Sequence, residues 1–454
     1  MRFKFPTNKN GQKKKKEDWV TPDFNKMVSI VSWNSLGFFF TEFIIPYVSS
    51  EILGGEGIQI GFLFSLIIIG ASFSSLLAGY LTDRYSKRIL VLIGALGRGI
   101  AYLIIYLSIL FRSFPLMNVG TLILGLLVGM YWVPFDHMLS EKSSKDHRSY
   151  AFGKRHGAMG KGIFIGGVIG TAIFGICTYL VPDMYWLVFS PMLIYFVSNL
   201  IGGILIYKRV DETIVYSADS DEKEEKLEEV KGNLNIQTKN FKKMPKGFII
   251  GFILLLSTYF LSSVNNFIAK PFVQVYILQN INDNPLFVLM AYAPAGTITM
   301  LIAPKLGEIV DNINPYIGIV TFSILGGLET FFLISVGNIW LFSIVLLFDA
   351  ILGNATNLLL QNIFSRISIK NRGKVIGTGT SIGNLGGGVG PIFGGLAWDS
   401  YGSKMPFIIS IFVELGLIAP YFASYNQIKP HLAEKTDNNA TEEMKDVLFD
   451  AHSD

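Results

Sequence analysis

Apolar stretches of twenty or so residues recur along this chain from one end to the other, and no other feature restricts its fold as tightly. An α-helix needs roughly 20 apolar residues to cross about 30 Å of hydrocarbon. Twelve segments reach that length: residues 27–49, 58–80, 89–110, 116–139, 158–180, 185–207, 247–278, 286–306, 316–336, 339–364, 374–398 and 405–428. Only 16% of the 454 residues are charged, against about a quarter in a soluble domain. The surface therefore faces lipid, which excludes a soluble enzyme and a disordered or collagen-like chain. The single cysteine, Cys177, lies inside an apolar block and leaves no intrachain disulfide and no cysteine-based metal site. Neither a metal nor a cofactor is expected.

The first span follows Arg2, Lys4, Lys9 and a lysine run at 13–16, and no small-residue cleavage site follows it, so it reads as an anchor. Placing the N-terminus in the cytoplasm gathers Arg84, Lys87, Arg88, Lys142, Lys145, Arg148, Lys154, Arg155, Arg366, Lys370 and Arg372 on the inner side. Only Arg112 and Lys404 are left outside. The expectation is a multi-pass plasma-membrane protein with an even number of spans and both termini cytoplasmic. Residues 208–246 hold nine acidic and nine basic side chains and few apolar ones, which reads as a solvated linker. The expected organisation is a basic N-terminus at 1–26, a six-helix bundle at 27–207, the linker, a second six-helix bundle at 247–428 and an acidic tail at 429–454.

The halves repeat. At a shift of 228, Gly79 and Asp83 fall on Gly307 and Asp311; at 224, Gly162, Gly166 and Gly170 fall on Gly386, Gly390 and Gly394. Two related bundles of like orientation suit carriers whose site lies between halves that rock. The segment after span 2 reads Gly79-Tyr80-Leu81-Thr82-Asp83-Arg84-Tyr85-Ser86-Lys87-Arg88. A glycine permits close helix approach, and Asp83, Arg84, Lys87 and Arg88 set charge pairs in a tight turn.

That segment resembles the loop between helices 2 and 3 of the major facilitator superfamily, with Ser86 where the family usually has glycine. A second family pattern, Gly386, Gly390, Pro391, Gly394 and Gly395, stands in span 11. In the family's proton-driven exporters it marks span 5, where this chain has Gly167 in place of the proline; their span 4 arginine is also absent, with Thr121 near its place. The resemblance implies an all-α fold of twelve spans in two pseudo-symmetric six-helix bundles, working as a single chain. It also implies that helices 1, 4, 7 and 10 line a central cavity, and that Asp83 meets the start of helix 11 near Lys374 and Val375. Such a charge-to-dipole contact is worth about 1 kcal/mol.

Six ionisable residues fall well inside spans, away from their ends: Glu42, Arg98, Lys270, Glu329, Asp349 and Glu414. Each costs roughly 2.5 to 3.5 kcal/mol at mid-bilayer, so each needs a role. Glu42, Lys270 and Asp349 stand on the helices that the resemblance assigns to the cavity, and are expected to serve proton coupling. Glu42 and Lys270 are related by the shift of 228 and would form an outer gate, or else a permanent ion pair. Asp349 lies about 15 Å into its span at the helical rise. Arg98, Glu329 and Glu414 are expected to brace neighbouring helices. In span 7, Thr258, Ser262, Asn266, Lys270 and Gln274 recur every four residues as a polar stripe. With Ser35, Tyr131, Trp132, Asn354 and Asn357, residues Ser262 and Asn266 are the expected lining of a substrate cavity, packing being the alternative for each.

No Gly-x-x-x-x-Gly-Lys loop is present, so this chain is not expected to hydrolyse ATP. The reading is a secondary active transporter that moves a small solute by alternating access, coupled to protons. Neutral or cationic solutes are expected, since multiply anionic ones call for clustered arginine. Uptake of a sugar-like nutrient and efflux of toxic amphipathic compounds both stay open, as does a non-transporting sensor. Enzymatic chemistry would need a polar cluster that His137, His147 and His156, among lysines and arginines, do not resemble. Nucleic acid is not an expected partner; the bilayer, the solute and protons are.

Overall fold

The computed structural model describes residues 19–144, 148–216, 246–367 and 372–432. Expectations that rest on the lysine run 13–16, on Lys145, His147 and Lys370, on the linker segment 219–231 and on the acidic residues of the tail lie outside them.

Span 1 is α1 (Phe24–Ser35) and α2 (Phe38–Tyr47), with a π-helical turn at Val48–Ile52. The next spans are α3 (Gly57–Thr82), α4 (Lys87–Leu110), α5 (Phe114–Glu141) and α6 (Arg148–Leu180). Span 6 pairs the short α7 (Tyr185–Val188) with α8 (Pro191–Arg209). Span 7 is α9 (Lys246–Ala269), a 3₁₀ turn at Lys270–Phe272 and α10 (Val273–Asn280). Then come α11 (Pro285–Asn312), α12 (Pro315–Leu333), α13 (Ile339–Ile367) and α14 (Arg372–Tyr401), and span 12 is α15 (Met405–Gly416) with α16 (Ile418–Ile428). Ten of these stretches are long and apolar enough to cross a membrane. Helix α11, apolar over Pro285–Gly296, and the glycine-rich α14 complete twelve spans in two bundles.

Helix starts follow from local sequence. Asn284 and Asn314 accept from the backbone N–H two residues on, with Pro285 and Pro315 opening α11 and α12. Proline is suited to that position because its missing N–H would have no partner there. Pro271 has the reverse effect inside span 7: it lacks the N–H that would continue the ladder, and the helix tightens to 3₁₀ at Lys270–Phe272. The four-residue stripe expected along span 7 is therefore interrupted, and its ends, Thr258 and Gln274, are buried.

Packing divides the chain into one unit of residues 1–42 and 70–242 and another of 43–69 and 243–454. This departs from the boundary expected at 208–246 in one stretch: residues 43–69 pack within the second unit. The cause is a glycine contact. A Cβ on Gly61 would drive into the Pro391 carbonyl, and one on Gly395 into that of Gly57. Asp399 of α14 accepts hydrogen bonds from Gly57 N–H at 2.7 Å and Ile58 N–H at 2.8 Å, capping α3.

Each unit also contains the same ladder of glycines against carbonyls. In the first, a Cβ on Gly162 or Gly166 would strike the carbonyl of Ser32 or Leu36, and one on Gly170 would meet the Phe40 ring. In the second, Gly386, Gly390 and Gly394 face the carbonyls of Phe260, Val264 and Ile268. Ser32, Leu36 and Phe40 are offset by 228 from Phe260, Val264 and Ile268, so the sequence repeat is a repeat of packing.

Candidate functional site

At the end of the first unit that carries the basic loops, side chains tie the helices together. Lys142 is buried, with Nζ 2.7 Å from Asp23 Oδ2, 2.5 Å from the Asp211 carbonyl and 2.9 Å from that of Ile214. Thr21 N–H donates to the Lys142 carbonyl and Ser144 N–H to that of Trp19, so the segment before α1 is stitched to the loop after α5. In the loop motif, Lys87 pairs with Glu141 at 2.7 Å, which also faces His137. The Arg88 guanidinium donates to the Val210 carbonyl and lies near Glu212, while that of Arg84 lies over the Tyr80 ring at 4.1 Å. Asp83 is exposed and Gly79 has open space beside it. The expected pairing inside the turn is thus replaced by pairing of its basic residues to α5 and to the end of α8. Asp211, outside the membrane, is held below the ordinary carboxylate value, first by the Thr213 backbone N–H and then by its hydroxyl.

Deeper in that unit, Arg98 of α4 is fully enclosed. It donates to the Asn34 carbonyl at 2.8 Å and lies over the rings of Phe38 and Tyr131 at 4.8 and 5.2 Å. The contact braces α4 against span 1. Ser35 and Tyr131, expected at a cavity wall, are also fully enclosed. Tyr131 belongs to the apolar core, stacked on Phe135. Trp132 is partly buried, with the Arg155 guanidinium over it at 4.9 Å; Arg155 in turn pairs with Asp136 at 2.8 Å. Glu42 is exposed at the second turn of α2.

The second unit gathers the remaining intramembrane charges from four spans. Asp349 of α13 interacts electrostatically with Lys270 and stands within hydrogen-bonding reach of the Glu329 carboxyl of α12. Asp349 itself keeps accessible surface, whereas Glu329 is buried. Lys270 is exposed, its ammonium 5.6 Å from the Phe267 ring. Beside this pair, Glu414 of α15 accepts from Asn265 Nδ2 at 2.9 Å and has the Ser323 hydroxyl near it. Of the expected lining, Ser262 is half-buried, and Asn266, Asn354 and Asn357 are exposed. Asn354 donates to the Ala350 carbonyl of its own helix.

The neighbour of an expected residue, Asn265, is the one that reaches the acidic cluster. Glu329 and Glu414, expected as braces, lie beside Asp349. The signal was present: away from their ends, spans 7 to 12 contain three carboxyls, Glu329, Asp349 and Glu414, and one lysine, Lys270, more acid than a single ion pair can absorb. What hid it was the ranking of helices, which set spans 9 and 12 aside as supports.

This arrangement brings three carboxyls and a lysine together in one bundle, and no cluster of metal-binding side chains is found among the described residues. The chain is 24% identical over 369 residues to the multidrug resistance protein MdtG of Citrobacter koseri, covering 78% of this chain and 82% of that one. Its fold is similar to that of a bacterial homologue of the human lysosomal transporter Spinster, in its inward-facing and unoccupied form. The TM-score is 0.70 at 10% identity, over 91% of this chain and 99% of the other. It is similar also to the nucleoside transporter NupG, with a TM-score of 0.66 at 13% identity, over 88% and 100% of the two chains. The sequence profile described as Major Facilitator Superfamily matches residues 27–366 and 255–447. With two bundles, a repeated glycine ladder and that match along nearly its whole length, the chain belongs to the major facilitator superfamily and is a membrane transporter, not an enzyme.

Proposed function

We propose that this transporter exports a cationic or neutral amphipathic solute in exchange for protons, by alternating access, with Asp349 at the proton site. One observation carries the reading: Asp349 keeps accessible surface, meets the Glu329 carboxyl and has Lys270 as its electrostatic partner. A carboxyl so placed exchanges its proton with water while its charge stays balanced. The likeness to a multidrug resistance protein supports export, and the acidic surplus of the second unit supports a cation over an anion. The protein works as a single chain in the plasma membrane, with both termini cytoplasmic, the side to which Arg84, Lys87, Arg88 and Lys142 assign the loops.

The test is transport of tetraphenylphosphonium, a lipophilic cation, in proteoliposomes with an imposed pH gradient. Wild type accumulates the probe against its gradient when protons run the other way. Asp349→Asn abolishes that response, and Glu42→Gln reduces it. Gradient-driven accumulation that is unchanged in Asp349→Asn removes Asp349 from the coupling role.

A further inference from the structure

We propose that Glu329 and Asp349 hold one proton between them, and that this carboxyl pair, not Asp349 alone, is where the coupling proton resides. The role in transport rests on the proton-coupled reading above; the sharing of the proton rests on the meeting of the two carboxyls and on the burial of Glu329.

The two side chains reach each other across the contact between α12 and α13. Ionised carboxylates only accept hydrogen bonds, so two of them in bonding reach hold together only when one carries a proton. Glu329 is 7% exposed, and its Oε1 meets no hydrogen-bond donor among the described residues. An enclosed acceptor left unmatched is costly, so this carboxyl lies where donors are scarce. A second orphan, Asn265 Oδ1, is also enclosed at 4% exposure beside Glu414. The cluster is thus rich in acceptors and poor in donors.

The groups that face the pair can be named from each packed element. Lys270 approaches from the turn after α9, Asn265 from α9 itself, Glu414 from α15, and Thr330 is the neighbour on α12. Tyr421 of α16 stands behind Glu414. With one proton, Glu329 and Asp349 together carry a single negative charge, which Lys270 balances. Loss of that proton leaves two negative charges against one positive in a region where each uncompensated charge costs roughly 2.5 to 3.5 kcal/mol. A cationic solute drawn to the pair supplies the missing positive charge, so solute and proton exclude one another.

The experiment is infrared difference spectroscopy on the purified full-length protein across a pH titration, which reads the C=O stretch of protonated carboxyls without any transport. Wild type shows a carboxyl band that is lost in a single step, and both Glu329→Gln and Asp349→Asn remove that step, while Glu329→Asp retains it. Melting temperatures close to wild type establish that the variants are folded. A band that keeps its amplitude and midpoint in Glu329→Gln overturns the shared proton and leaves Glu329 a brace. If the step is shared but probe transport in wild-type proteoliposomes ignores a pH gradient, the coupling reading fails and the pair stands as a structural one.

Discussion

Lys142 shows what a single side chain contributes at the basic end of the first unit. The sequence marks it only as one more loop cation, yet it is enclosed and joined to Asp23 and two carbonyls. Removing one partner of a buried pair leaves an unmatched charge, at a cost of about 3 to 5 kcal/mol, whereas replacing both with apolar groups is often neutral. Lys142→Met is therefore expected to lower the melting temperature in detergent sharply, and adding Asp23→Leu to recover most of the loss. Asp211 works through pH instead. Its value is depressed on folding, so its stabilisation is present at neutral pH and fades as pH falls through the folded value. Asp211→Asn should flatten the acid side of the stability profile and leave the neutral side alone. Arg98 is a third case: its position inside a span could be read from the sequence, but its bond to the Asn34 carbonyl could not, because backbone acceptors leave no mark in sequence.

Among elements, the glycine ladders decide how closely helices pack. Gly166 faces the Leu36 carbonyl and Gly390 that of Val264, so a side chain at either must push two backbones apart. Overpacking of this kind costs about 1 to 3 kcal/mol. Gly166→Leu and Gly390→Leu are each expected to lower the melting temperature, and Gly79→Leu, with open space beside it, to leave it near wild type. The four-residue spacing made these glycines visible in advance, because lipid-facing positions do not require it. The cap that Asp399 forms on α3 was not visible, since the two partners are more than 300 residues apart. Asp399→Ala should cost about 0.5 to 2 kcal/mol and speed hydrogen exchange at Gly57 and Ile58. The break in span 7 was written in Pro271, but hydropathy averages over a window and does not register a missing N–H.

At the scale of the molecule, the twelve spans and the internal repeat were legible, because each is a pattern of many residues. The site was only half legible. Asp349 and Lys270 stood out as isolated charges, while Glu329 joined them only once α12 and α13 were packed together. Asp349 lies ten residues beyond Ile339, the first residue of α13, which at the helical rise is about 15 Å, half of a hydrocarbon layer about 30 Å thick. A transmembrane voltage acts on a full crossing with about 2.3 kcal/mol per 100 mV. A proton that stops at this depth therefore senses roughly half of that, about 1 kcal/mol. Electrical polarisation alone, with the same pH on both faces, is then enough to bias occupancy of the acid pair, and a potassium diffusion potential set with valinomycin would reveal it.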